Sequence, residues 1–289
     1  MELRYDLHQH LWPGGFVDAL RRRSDSPRLD GDELVTVEGR FAVDLSRHDP
    51  ESRVQMLDTD GIDVAVVSLQ PSLGLGLLEQ PEAAELEEIW AEGMRELLRA
   101  ADGRFLAFSP SRPRDGFAGV SVGASALLDL DAAGPILDEV ERGAGLLFVH
   151  PDAGAPSGAD RPVWWEWVVG YPGRMQAAYL AWLAAGRERW PQSKVLFAVL
   201  AGGGPVQLER LAHHGVDVRS VLDPNVFFDV ATYGRRAIEL CIETFGVTQL
   251  AYGSDTPVLD GSATVDAVRG FGDSVVHILQ TDTPTRLLP

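Results

Sequence analysis

Asp6-Leu7-His8-Gln9-His10-Leu11-Trp12-Pro13 is the stretch from which the rest of the chain can be read. Alternate side chains of a strand share a face, so His8 and His10 project two imidazoles side by side, as two ligands of one divalent ion would. Leu3, Tyr5 and Leu7 fall on the other phase together with Gln9, which makes the segment a buried strand. Pro13, Gly14 and Gly15 stop it and leave both histidines at its C-terminal end.

Seven more apolar, β-branched runs follow: 62–69, 105–109, 118–123, 145–150, 195–200, 226–230 and 249–254. Continuous rather than alternating apolar character marks strands covered on both faces, hence a parallel sheet. Helical patterns separate most of them, at 50–60 (Asp49 as N-cap, Pro50 at the first position), 81–101, 136–142, 175–190, 206–214, 235–245 and 263–279. Eight strands alternating with helices predict a somewhat distorted (β/α)8 TIM barrel, with residues 1–289 as a single domain. The connection from Pro110 to Phe117 is short for a parallel crossover. Two stretches read as insertions after the first and fifth strands: 24–47, polar with a hairpin pattern, and 152–174, rich in Gly, Pro and Trp.

Composition narrows the function. The 289 residues carry 43 acids against 25 bases, a formal charge of −18, which disfavours nucleic acid and anionic membranes as partners. No apolar run approaches the roughly 20 residues of a membrane span, and the N-terminus has no apolar targeting core. The one cysteine, Cys241, lies in an apolar helical pattern as a small hydrophobe and cannot form an intramolecular disulfide. A cytoplasmic protein with a small-molecule substrate is expected.

Barrel active sites gather at strand C-termini. The fifth strand, Leu146-Leu147-Phe148-Val149-His150, ends in a histidine, and the eighth reads into Tyr252-Gly253-Ser254-Asp255. Three imidazoles and a carboxylate then converge on one rim, a donor set that suits Zn²⁺ or another borderline divalent ion; zinc is the first expectation, with Mn²⁺ as the alternative.

These motifs resemble the amidohydrolase superfamily, in particular its amidohydrolase-related branch, which includes aminocarboxymuconate-semialdehyde decarboxylase. Met56–Asp63 resembles that branch's segment before the second strand, and Asn225–Val230 its seventh strand. The resemblance implies that His8, His10, His150 and Asp255 hold the metal, that a metal-bound water is present, and that the aspartate also serves in proton transfer. It further suggests a homodimer. One departure matters. The branch usually carries a histidine at the end of the sixth strand, and Val199 stands there in Phe197-Ala198-Val199-Leu200-Ala201-Gly202-Gly203-Gly204. Valine neither donates nor accepts a proton.

That departure makes a metal-dependent hydrolase of a lactone, amide or related acyl bond the first expectation, with Asp255 and His150 as catalytic residues and an activated water as nucleophile. The alternative is a non-oxidative decarboxylase of an unsaturated or aromatic carboxylic acid. It needs another proton donor, for which His48 is the nominee. A second alternative is a degenerate barrel that binds without turnover. Arg40 and Arg112 are candidate carboxylate clamps. Trp164, Tyr171 and their aromatic neighbours are candidates for a substrate wall, with His48 as a further contact.

Overall fold

The computed structural model describes residues 2–143, 145–154, 161–162, 164–218 and 222–289. Of the predicted insertion 152–174, residues 155–160 and 163 lie outside this set. Eight parallel strands are present: β1 (Tyr5–His10), β5 (Val64–Ser68), β6 (Phe105–Pro110), β7 (Gly119–Gly123), β8 (Leu146–His150), β9 (Lys194–Phe197), β10 (Val226–Asp229) and β11 (Leu250–Ala251), hydrogen-bonded in that order. Beyond β11 the chain closes the ring onto β1. Leu7 N–H donates to Tyr252 O at 2.9 Å, Asp255 N–H to His8 O at 2.8 Å and His10 N–H to Thr256 O at 2.7 Å. The result is a (β/α)8 barrel. All eight predicted strands occur, because each apolar run is buried on both faces.

Helices cover the outside. Asp49 caps α2 (Pro50–Asp60) by accepting from Ser52 N–H at 2.8 Å, and Gly61 ends it in the left-handed region. The long α3 (Gln80–Ala100) buries Leu86, Trp90, Met94 and Leu97, which recur at helical spacing on one face. It lies close on the turn after β1. Trp90 Nε1 donates to Leu11 O at 2.8 Å, and a Cβ on Gly93 would meet Pro13 Cβ at 2.5 Å. Others are α4 (Leu130–Arg142), α5 (Tyr171–Ala181), which runs on into a π-helical turn at Trp182–Gly186, and the helices Pro205–His213 and Arg235–Phe245. The expected final helix is broken into Ser262–Arg269, Asp273–His277 and a π turn at Ile278–Asp282, with Gly270 and Gly272 at the first break.

No helix joins β6 to β7, and the stagger of the strands explains why none is needed. Phe108 pairs with Gly119 and Pro110 with Ser121, so the chain leaves at Pro110 and re-enters beside Ala107. Three residues of strand, about 10 Å, must be retraced, and residues 111–118 span that without a helix. The insertion after β1 goes beyond a hairpin: β2 (Arg28–Asp30), β3 (Glu33–Thr36) and β4 (Gly39–Ala42) form a three-stranded antiparallel sheet.

β9 ends at Phe197, short of the predicted Leu200. Val199, Leu200 and Ala201 take φ of 47, 50 and 50°, the left-handed region that ordinarily costs a non-glycine residue about 1–2 kcal/mol each. For a β-branched valine this is a genuine outlier.

Candidate metal centre

His8, His10, His150 and Asp255 each offer one ligand atom, and the four atoms lie within 4.8 Å of one another. The strands explain the convergence. His8 and His10 share the inner face of β1, His150 ends β8, and Asp255 follows β11 in a left-handed conformation (φ 62°) that aspartate tolerates. A Cβ on Gly253 would stand 2.7 Å from His8 Cβ, so a residue without a side chain is required where the eighth strand passes the first.

The outer ring nitrogens are all occupied. His8 Nδ1 lies 2.8 Å from Asp229 Oδ2, His10 Nδ1 3.1 Å from Ser68 O, and His150 Nδ1 2.6 Å from Pro151 O. These oxygens are acceptors, so each Nδ1 carries its proton and each Nε2 turns inward. His10 Nε2 and His150 Nε2 then face each other at 3.2 Å, and His8 Nε2 is buried without a hydrogen-bond partner among the described residues. Asp255 Oδ1 completes the group, 3.1 Å from His10 Nε2 and 3.5 Å from His8 Nε2. Inward lone pairs beside a carboxylate repel one another unless a positive charge sits among them, so the residues fit a divalent cation.

The protonation tendencies agree. Burial works against charge on His8, but the Asp229 and Asp255 carboxylates outweigh it and raise its pKa to about 9. Burial holds His10 below its ordinary value. His150 is held well below its own by burial and by the two neighbouring imidazoles. One positive charge is favoured at this spot, and three are not.

Asp229 is a site residue that the sequence reading passed over. Its carboxylate takes His8 Nδ1 on one oxygen and, on the other, the N–H groups of Val199 (2.9 Å) and Ala231 (3.0 Å). It therefore fixes the His8 tautomer and pins the left-handed turn at Val199 together. An acidic residue closing the apolar run Val226-Phe227-Phe228 was the available signal, since such a carboxylate is buried only when it is paired.

The other nominated residues sit as follows. His48 is buried, stacked on Trp12 with ring centroids 4.3 Å apart, and its Nδ1 accepts the Trp12 N–H at 3.1 Å. Burial and the nearby Arg53 push its pKa down to about 3, so it is neutral at pH 7, and the proton left on Nε2 of a neutral imidazole is too weakly acidic to serve as a general acid. The Arg40 guanidinium is taken up by Asp30 and Glu33 within the inserted sheet, at 2.8 Å each. Arg112 is exposed and pairs with Glu88 at 3.4 Å. Both bonding patterns are those of surface ion pairs. Trp164 is half exposed beside Trp165. Tyr171 Oη donates to Glu38 Oε2, tying the tip of the inserted sheet to α5. Away from the rim, His277 lies 3.5 Å from Glu2, at the opposite end of the barrel. Cys241 is buried, and burial pushes its thiol up to about 12.

No family model matches the chain. It is 25% identical to the 2-amino-3-carboxymuconate-6-semialdehyde decarboxylase of Dictyostelium discoideum, across 94% of this chain and 88% of that protein. Among solved structures, IDCase of Metarhizium anisopliae superposes with a TM-score of 0.81 at 18% identity, covering 99% of this chain and 96% of that one. The 5-carboxyvanillate decarboxylase of Novosphingobium aromaticivorans, solved with manganese and 4-hydroxy-3-methoxy-5-nitrobenzoic acid, gives 0.74 at 19% identity, covering 99% and 96%. The hydrolase expectation is corrected by these findings: the curated relative is a decarboxylase, and so is the manganese-bound structure. Val199 removes one proton-handling group, which is why the sequence by itself points to hydrolysis. The resemblance to the amidohydrolase-related branch, and within it to aminocarboxymuconate-semialdehyde decarboxylase, holds over nearly the whole chain.

Proposed function

We propose that this protein is a metal-dependent, non-oxidative decarboxylase of an unsaturated or aromatic carboxylic acid. The observation that carries the reading is the His8–His10–His150–Asp255 cluster at the C-terminal end of a barrel whose curated relative is a decarboxylase. These four residues would hold a divalent ion, and manganese is favoured over zinc because a related decarboxylase binds it. Bound there, the ion supplies Lewis-acid attraction for oxygen atoms of the substrate.

The chain's own residues supply the rest. Loss of CO₂ leaves the C–C bond pair on carbon, and a proton must replace the carboxyl group there. Val199 carries no proton and His48 is held neutral. The Asp255 side chain is 13% exposed whereas that of His8 is 0%. It is the most exposed group of the cluster, and we assign it the delivery of the proton. Asp229 keeps the His8 proton on Nδ1 throughout.

The test is CO₂ release by Mn²⁺-loaded protein over a panel of hydroxylated benzoic acids and unsaturated dicarboxylic semialdehydes. Release that disappears in Asp255→Asn supports the reading. Tight Mn²⁺ binding with no release across the panel overturns it in favour of a barrel that binds without turnover.

A further inference from the structure

Arg53 on α2 is fully buried, yet its bonds go to neutral oxygens. Nη1 donates to Gln9 Oε1 at 2.9 Å and His10 O at 3.2 Å, and Nη2 donates to Arg47 O. Nε has no partner among the described residues. A guanidinium stays a cation at neutral pH in a protein. An unpaired buried guanidinium is costly, and an aliphatic side chain would fill the same space without that cost.

A carboxyl group lies at one remove from it. The Gln9 amide passes the interaction on, with Nε2 donating to Asp6 Oδ2 at 2.8 Å. Arg53 can only donate and Asp6 accepts, which fixes the orientation of the Gln9 amide between them. Asp6 Oδ1 in turn accepts the backbone N–H of His8 and of Ser254, each at 3.1 Å. Asp6 is itself buried. One chain of hydrogen bonds thus runs from Arg53 through Gln9 to Asp6. It touches the backbone of two candidate ligands, His8 and His10, and of Ser254, which directly precedes a third, Asp255. Asp6 also bridges the seam where the end of the eighth strand closes on β1.

We propose that Arg53, Gln9 and Asp6 form a positioning relay on the outer side of β1 that sets the spacing of the metal ligands. None of the three touches the ligand side chains' inward nitrogens or oxygens. The inference rests on the cluster being a metal site, and it is independent of which acid is decarboxylated.

The test measures Mn²⁺ affinity, the visible absorption of the Co²⁺-loaded protein, and thermal melting in Gln9→Met and Arg53→Lys. The first variant removes both amide bonds at nearly constant volume. The second keeps the charge but loses the planar fork. Supporting groups around a metal typically contribute 10- to 100-fold in affinity. The expected result is a loss of roughly that size in Gln9→Met, a smaller one in Arg53→Lys, and an altered Co²⁺ spectrum in each. A purely structural role would lower the melting temperature and leave affinity and spectrum unchanged, and that result overturns the proposal. Should Gln9→Met fail to fold, Arg53→Lys alone decides by the same two readouts. A relay confirmed without any CO₂ release would separate this inference from the decarboxylase reading.

Discussion

Replacing His48 by Asn tests the claim that its ring is kept neutral. The amide oxygen of Asn can stand in for Nδ1 and accept the Trp12 N–H, while the titratable ring is removed. The folded pKa of about 3 lies below the ordinary 6.5. For a depressed pKa the stabilisation is fully present above the unfolded value and is lost as pH falls towards the folded one. At pH 5 the unfolded chain has gained its proton by a factor of about 30 and the folded chain has not. That ratio corresponds to about 2 kcal/mol, and it stays there for any folded pKa below roughly 4. Urea unfolding at pH 7.5 and pH 5.0, with chelator in both cases, gives four stabilities. The variant should be the less stable protein at pH 7.5, since it lacks the ring stacked on Trp12. Between the two pH values, however, it should lose about 2 kcal/mol less than the parent. His10 and His150 are also depressed and add to the acid loss of both proteins equally. Equal acid losses in parent and variant would refute the reasoning and restore His48 as a candidate acid.

Three further outcomes follow from the same geometry. Asp229→Asn should bind Mn²⁺ roughly 10- to 100-fold more weakly, because an amide no longer holds the His8 proton on Nδ1; a metal titration reads this directly. With His8 raised to about 9, the metal-free protein carries a proton there at pH 7.5, and Mn²⁺ binding should expel about one proton per ion. Calorimetry in buffers of different ionisation enthalpy measures that number, and affinity should fall further as pH is lowered. Gly253→Ala places a methyl 2.7 Å from His8 Cβ and 3.2 Å from Asp229 Cβ, so affinity should drop by at least tenfold, on the order expected for a displaced ligand, in a protein that still melts cooperatively.

The barrel and its four candidate ligands were legible in the chain because both rest on local regularities. Apolar runs report burial on two faces, and a histidine at i and i+2 shares a face whatever surrounds it. The connection between β6 and β7 is shorter than a parallel crossover ordinarily needs. Strand stagger, which no local pattern carries, made it short. The clamps Arg40 and Arg112 went to surface carboxylates, Asp30, Glu33 and Glu88, that nothing in their own segments distinguishes from other acids. Val199 was visible as a substitution. The left-handed turn around it, and the Asp229 carboxylate that pins its N–H, were not.

Sequence alone therefore determined the eight-strand order and which side chains could bind an ion, since strand periodicity and ligand chemistry belong to the residues themselves. Tertiary structure decided which nitrogen of each histidine faces inward, that His48 is neutral, and that Arg53 reaches Asp6 through Gln9. Those properties come from desolvation and from partners such as Asp229, 221 positions from His8. A proton's location depends on the oxygens that folding brings beside it.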